Sequence, residues 1–361
     1  MRILPLVAFA LLCAVCAGPV EARAESAAPV ARPSTSSGRT GEGVRETPDQ
    51  VARRYGLAGE ILVARGGRVL LDEGYGPVAP NGKVPHKAGQ RWRLASITKQ
   101  VTAVSIMRMV DRGALKLDDA FASPGPAASD GITIRMLLTH HAGLANPDDT
   151  PTVAGQFPAF YRSATSSFDY CRSKPGTPNA PFSYNNCDYL LLGQRLEAAE
   201  GAVGEMDNAL WPGAFAKPGE VGVRGYVGNK PEPTFNLSTF GTAGGLIGTA
   251  RDVFRFDRML MTDKLLSPAA RAELWKPEGN GSYQALGQWV FPGQLPGCAK
   301  PKRIVQRDGE IGGVQTRNFI LPDDDLVVIV FTNRSSDDFA LGEVWEGKGF
   351  VYDLLGAAAC P

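Results

Sequence analysis

Arg91–Ala103 reads RWRLASITKQVTA, a run in which a lysine follows a serine by three places with little else polar nearby. Residues three apart on a helix stack on one face, so a helix starting here makes Ser96 and Lys99 neighbours. Val101, Val104, Met107 and Val110 continue at three- and four-residue spacing as far as Gly113, which predicts an amphipathic helix closed by a glycine. Serine is a poor nucleophile until a neighbour takes its proton, and a lysine can do so where burial or a nearby cation disfavours its ammonium form. A helix N-terminus adds free N–H groups for a developing oxyanion. Alone, S-x-x-K arises about once by chance in a chain of this size, and the competing reading is a solvated lysine on an ordinary helix.

Two further stretches change that balance. PFSYNNCDYLLLG puts Tyr184 and Asn186 at the start of a second helical pattern, 88 positions beyond Ser96. A phenol beside a lysine can act as a base, and an Asn two residues on can donate to a substrate carbonyl while accepting from the lysine. VQRDGEIGGV lies 123 positions further, a strand pattern running into Gly309, Gly312 and Gly313. Glycine in a strand permits close approach of a ligand, Arg307 could bind an anionic group, and the Glu310 N–H could be the oxyanion donor opposite that of Ser96. Read singly, these are a capping Asn beside a core Tyr and an ordinary hairpin end.

Composition sets the outer bounds. The chain has 361 residues, 43% hydrophobic and 21% charged, with 38 basic residues against 37 acidic, so charge gives no case for nucleic acid or an anionic membrane. Three histidines, His86, His140 and His141, make a multi-histidine metal site improbable, and no G-x-S-x-G elbow marks a serine–histidine route. The doublet His140-His141 reads as a packed helix end.

Residues 1–24 read as a signal peptide, with Arg2, an apolar run from Ile3 to Cys16 and an Ala22-Arg23-Ala24 cleavage site, which predicts an exported, periplasmic or secreted protein with no stable membrane span. Residues 25–48 read as a disordered linker rich in Pro, Ser, Gly and Arg. Cleavage leaves Cys171, Cys187, Cys298 and Cys360, which allow three pairings. Cys171–Cys187 with Cys298–Cys360 is preferred, because the first closes a short loop and the second ties down the C-terminus; four buried thiols are the alternative.

GEILVARGGRVLLDEGYG predicts a hairpin about Gly66-Gly67. RIVQRDG, GVQTRNFILP and DLVVIVFTN predict three late strands, and about Ala340 to Leu355 a final helix. Strands at both ends around a helix-rich middle imply a sheet lobe of about 49–113 and 240–361 and a helical lobe of about 114–239, within one domain, 49–361.

In this order and spacing the motifs resemble those of the serine β-lactamase and penicillin-binding-protein superfamily, nearest its class C-like branch of carboxypeptidases, D-aminopeptidases and esterases. LASITKQVTA, ITIRMLLTHHAGL, FSYNNCDYLLLG, TAGGLIGTARDVFRF, KLLSP and LVVIVFTN look like family segments in family order, from about Gly59 onward. The resemblance implies an α/β (α+β), β-lactamase/transpeptidase-like fold: an antiparallel sheet flanked by helices, plus a mainly helical lobe with the site in the cleft. It implies Ser96 as the acylated nucleophile, Lys99 as its proton partner, Tyr184 as general base and leaving-group acid, and Asn186 as an orienting group. Arg307, Gly309 and Glu310 become the substrate-binding positions, with no metal and no cofactor.

One departure bears on substrate. Where the family usually has Lys-Thr-Gly or His-x-Gly, this chain has Arg307-Asp308-Gly309 followed by Glu310. The flanking acids weaken attraction for a carboxylate, and alternation along a strand puts Asp308 on the face opposite Arg307. The expectation is therefore a serine hydrolase cutting an ester or amide of a small-molecule or peptide-like substrate, with peptidoglycan-derived material a candidate. A true β-lactamase and a non-catalytic penicillin-binding sensor are the rivals.

Overall fold

The computed structural model describes residues 45–121, 131–152, 157–163, 168–200 and 214–361. The expected signal peptide and nearly all of the expected linker lie outside these residues. The linker's last residues are ordered by contacts: the Arg45 guanidinium donates to the Cys360 carbonyl at 2.8 Å, and Thr47 forms a capping box with Gln50. That box, with Pro48 in the first turn, opens helix α1 (Pro48–Tyr55), and Gly56 at φ 68° closes it.

Eleven strands follow in the described residues. β1 (Gly59–Arg65) and β2 (Arg68–Tyr75) form the expected hairpin about Gly66-Gly67. β8 (Trp289–Gly293), β9 (Lys302–Ile311), β10 (Val314–Leu321) and β11 (Leu326–Thr332) join them in one antiparallel sheet of order β2-β1-β11-β10-β9-β8. The chain ends meet where β1 pairs with β11, Gly59 opposite Thr332. Between them lie β3 (Trp92–Arg93), β4 (Ala214–Phe215) and β7 (Leu246–Gly248) in a small sheet, and the hairpin of β5 (Tyr226–Val227) and β6 (Lys230–Pro231).

β11 shows why the large sheet is covered on both faces. Val327, Ile329 and Phe331 enter one core, and Leu326, Val328 and Val330 the other. The second core is closed by α1 and the C-terminal helix Phe350–Ala359. The first contains α2 (Ile97–Asp111) and α5 (Asn186–Glu200), with the short helices α3 (Ile134–Leu138) and α4 (Phe168–Cys171) beside them. α2 is not the amphipathic helix its spacing predicts: it is buried on every side from Ile97 to Met107, because sheet and helical segments enclose it. The final helix also begins later than expected, since Gly347 and Gly349 take φ of 68° and 95° and delay it to Phe350. Disulfides join Cys171 to Cys187 and Cys298 to Cys360.

Candidate active site

Ala95 feeds α2 with a φ of 47°, an uncommon conformation for a residue with a side chain. Ser96 then occupies the N-cap, where serine usually commits its oxygen to the first turn, yet its hydroxyl makes no capping bond. Its Oγ lies 2.6 Å from Tyr184 Oη and accepts from Lys99 Nζ at 3.2 Å. Lys99 is fully buried and also donates to Asn186 Oδ1 at 2.6 Å and to the Ala243 carbonyl at 2.9 Å. Three acceptors around one nitrogen match the three protons of an ammonium. With Lys99 donating to Ser96, the serine's own proton is left to point at Tyr184.

Tyr184 lies two residues before α5, and Asn186 is the first residue of that helix. Asn185 between them anchors the corner, donating to the Leu144 and Ala145 carbonyls and accepting from the Cys187 N–H. The two motif residues therefore face one lysine across the start of one helix.

Arg307 completes the group from β9. Its Nε donates to the Ser96 carbonyl at 2.9 Å and its Nη2 to Tyr184 Oη at 2.9 Å, while the guanidinium stacks over Trp289 at 4.6 Å. The side chain is fully buried. Sequence reasoning offered Arg307 as a receiver for an anionic substrate group; in the structure its Nε and Nη2 hold the serine backbone and the tyrosine oxygen. Asp308 faces away, beside Arg317 and Gln306, and the Glu310 carboxylate turns to Ser336. Gly309 lies against Ser96, since an added Cβ there would fall 2.8 Å from the Ser96 nitrogen. The two-residue turn Gly312-Gly313 makes Ile311–Val314 the hydrogen-bonded closing pair. Alternation then directs the Glu310 N–H away from β10, toward the edge that β8 leaves unpaired beyond Gln306.

The neighbouring charges were not legible in the motifs. His140 Nδ1 accepts from the Asn185 N–H at 3.2 Å and lies 2.8 Å from Asp188 Oδ2. Burial pushes the Asp188 carboxyl well up and the His140 imidazole well down, the latter aided by the charges of Lys99 and Arg307. His140 is thus packed against Tyr184 at 4.7 Å between ring centroids and makes no bond to Ser96, while His141 bonds the Ala180 carbonyl. Sequence reasoning also missed Asp148 and Tyr161, which continue the hydrogen bonds beyond Asn186. Among the described residues, no cluster of three or more His, Cys, Asp or Glu could hold a metal.

The sequence model of the Beta-lactamase family matches residues 44–346. Penicillin-binding protein 4* of Bacillus subtilis (strain 168) is 23% identical over 324 residues, covering 80% of this chain and 71% of its own. The D-alanyl-D-alanine-carboxypeptidase/endopeptidase AmpH of Escherichia coli (strain K12) is 25% identical over 364 residues, 90% of each chain. The crystal structure of D-amino acid amidase from Ochrobactrum anthropi SV3 with D-phenylalanine shares the fold with a TM-score of 0.65 at 19% identity, over 86% of this chain and 96% of that one. By the extent of the family match, this chain belongs to the Beta-lactamase family of serine hydrolases.

Proposed function

We propose that this chain is an exported serine hydrolase that cleaves an ester or amide through an acyl-enzyme on Ser96. The observation that carries the reading is the 2.6 Å contact of Ser96 Oγ with Tyr184 Oη, flanked by the Lys99 and Arg307 cations. In acylation the Ser96 proton passes to the Tyr184 oxygen, negative charge there being favoured by the two cations. Oγ attacks the carbonyl carbon, and the oxyanion is received by the Ser96 and Glu310 N–H groups. As the carbonyl reforms, the bond to the leaving group breaks and that group takes the proton from Tyr184. Water then repeats the sequence on the acyl-enzyme and releases Ser96.

The engagement of Arg307 with Ser96 and Tyr184 bears on substrate. A β-lactamase depends on holding the substrate carboxylate, and two of the three guanidinium nitrogens at this position already donate to Ser96 and Tyr184. A neutral ester, or an amide of a D-amino acid, the compound class for which the neighbouring D-amino acid amidase is named, fits the site better. Export is supported by the leader sequence and by two disulfides, which persist in oxidising compartments; among the described residues no helix is long and apolar enough to cross a membrane.

The test is a substrate panel of a p-nitrophenyl ester, D-phenylalanine amide and a chromogenic cephalosporin, with wild type and Ser96→Ala. Turnover of the ester or amide that vanishes in Ser96→Ala supports the reading. Cephalosporin turnover well above both others would make the β-lactamase assignment the correct one, and equal activity in Ser96→Ala would remove Ser96 from the mechanism.

A further inference from the structure

Asn186 stands between a group that only donates and one that can do either. Lys99 donates to its Oδ1, so its Nδ2 faces outward and donates to the Tyr161 hydroxyl at 2.8 Å. A hydroxyl that accepts this bond must send its own proton elsewhere, and it goes to Asp148 Oδ1 at 2.5 Å. The chain from Asp148 to Lys99 therefore has one polarity. Reversing it would turn the Asn186 NH2 toward the ammonium, donor against donor. Two groups oppose the reversal, the Lys99 ammonium at one end and the Asp148 carboxylate, an obligate acceptor, at the other.

The surroundings hold this chain in place. Tyr161 is 2% exposed, and its ring stacks on Phe240 with centroids 3.9 Å apart and planes 5° from parallel. Asp148 lies in the single turn Pro147–Asp149, capped by Asn146. The Asn146 side chain donates to the Tyr184 carbonyl at 3.2 Å, and its own carbonyl accepts from Tyr170 at 2.9 Å. One short turn thus touches the backbone of Tyr184 and, through Tyr161, the side chain of Asn186.

We propose that Asp148 and Tyr161 are positioning residues for acyl transfer: through the Tyr161 hydroxyl, the Asp148 carboxylate fixes the orientation of the Asn186 amide and so holds the Lys99 ammonium against Ser96. The proposal rests on Ser96 being the nucleophile. Protonation of Asp148 removes the obligate acceptor, so activity falls on the acid side as that group titrates. Burial raises the Asp148 carboxyl above its ordinary range, with Asp149 adding to the rise and the Tyr161 and Asn186 hydrogen bonds and the charge of Lys99 opposing it. Tyr170 packs nearby as a further titratable group.

The experiment uses p-nitrophenyl acetate, a neutral ester with no amine or carboxylate for Asp148 to recognise, with Asp148→Asn, Asp148→Glu, Tyr161→Phe and Asp148→Asn/Tyr161→Phe. The kcat of each single Asn or Phe variant is expected to fall about 10- to 100-fold, the scale of a misplaced reacting group, with KM little changed. The double variant is expected to lose no more than the worse single, because both act through one chain. Asp148→Glu is expected to recover part of the loss, and Asp148→Asn to lose the acid limb of the kcat profile. Unchanged kcat in folded Asp148→Asn and Tyr161→Phe, or independent losses that multiply, would overturn the relay while leaving the serine hydrolase reading intact. Absence of ester turnover and of any Ser96 acyl group in the wild type would instead overturn both.

Discussion

At Gly309 a methyl group would fall 2.8 Å from the Ser96 nitrogen and 2.7 Å from the Leu94 carbonyl, and would also press on Thr316 Oγ1. All three neighbours are fixed by the sheet or by the start of α2, so the strand has to move. Gly309→Ala is expected to displace β9 from Ser96, cutting kcat/KM by about 100-fold or more, the scale of a lost oxyanion donor. It is expected to cost about 1–3 kcal/mol by overpacking. Ester kinetics and a thermal melt check this, and wild-type kinetics would show that the close approach is not needed. At this scale the motif positions were legible because their chemistry is tied to spacing: Ser96 and Lys99 share a helix face, and Tyr184 and Asn186 share a helix start. Asp148 and Tyr161 were not. Asn146-Pro147-Asp148-Asp149 reads as a polar turn, and only the packing of Tyr161 on Phe240 brings its hydroxyl to Asn186. Arg307 was legible as a cation near the site but not as a buried one, because its burial depends on Trp289 from the neighbouring strand.

Among elements, the two disulfides have separable effects. Cys187 is the residue after Asn186 in α5, and its bond to Cys171 closes a separation of 16 residues. Cys298–Cys360 spans 62 residues and pins the end of the C-terminal helix to the segment between β8 and β9, beside the core that does not contain α2. Chain entropy gives about 4 kcal/mol for the longer loop and about 3 kcal/mol for the shorter. Cys298→Ala/Cys360→Ala is therefore expected to lose more stability in urea titration while keeping the wild-type kcat. Cys171→Ala/Cys187→Ala is expected to lower kcat as well, because the start of α5 carries Asn186. The reverse pattern would contradict this placement. Element boundaries were less legible than element identity: the late strands follow their alternating apolar residues, but the last helix waits for the glycines at 347 and 349.

For the whole molecule, the sheet built from both chain ends was legible in the hairpin and late strand patterns, whereas the burial of its ionisable groups was not. Glu60 on β1 is 1% exposed and accepts from the Gly89 N–H and Trp92 Nε1, and burial pushes its carboxyl from 4.5 up to about 7. Between those values the folded chain keeps a proton that the unfolded chain loses, so this contribution to stability is complete below pH 4.5 and is lost as pH rises through about 7. Glu343, raised to about 8 by burial and the nearby Asp308, acts in the same sense. Glu60→Gln is expected to flatten the fall in unfolding free energy between pH 5 and 8 by on the order of 3 kcal/mol at most. Identical slopes in urea titrations of variant and wild type would contradict this. The central claim, acyl transfer through Ser96, is tested most directly by acid-quenching the enzyme during turnover of a p-nitrophenyl ester and mapping the acyl mass by peptide mass spectrometry. The expected result is one acyl group on the peptide containing Ser96, absent from Ser96→Ala. An acyl group on another residue, or turnover with no acyl-enzyme at any quench time, would contradict it.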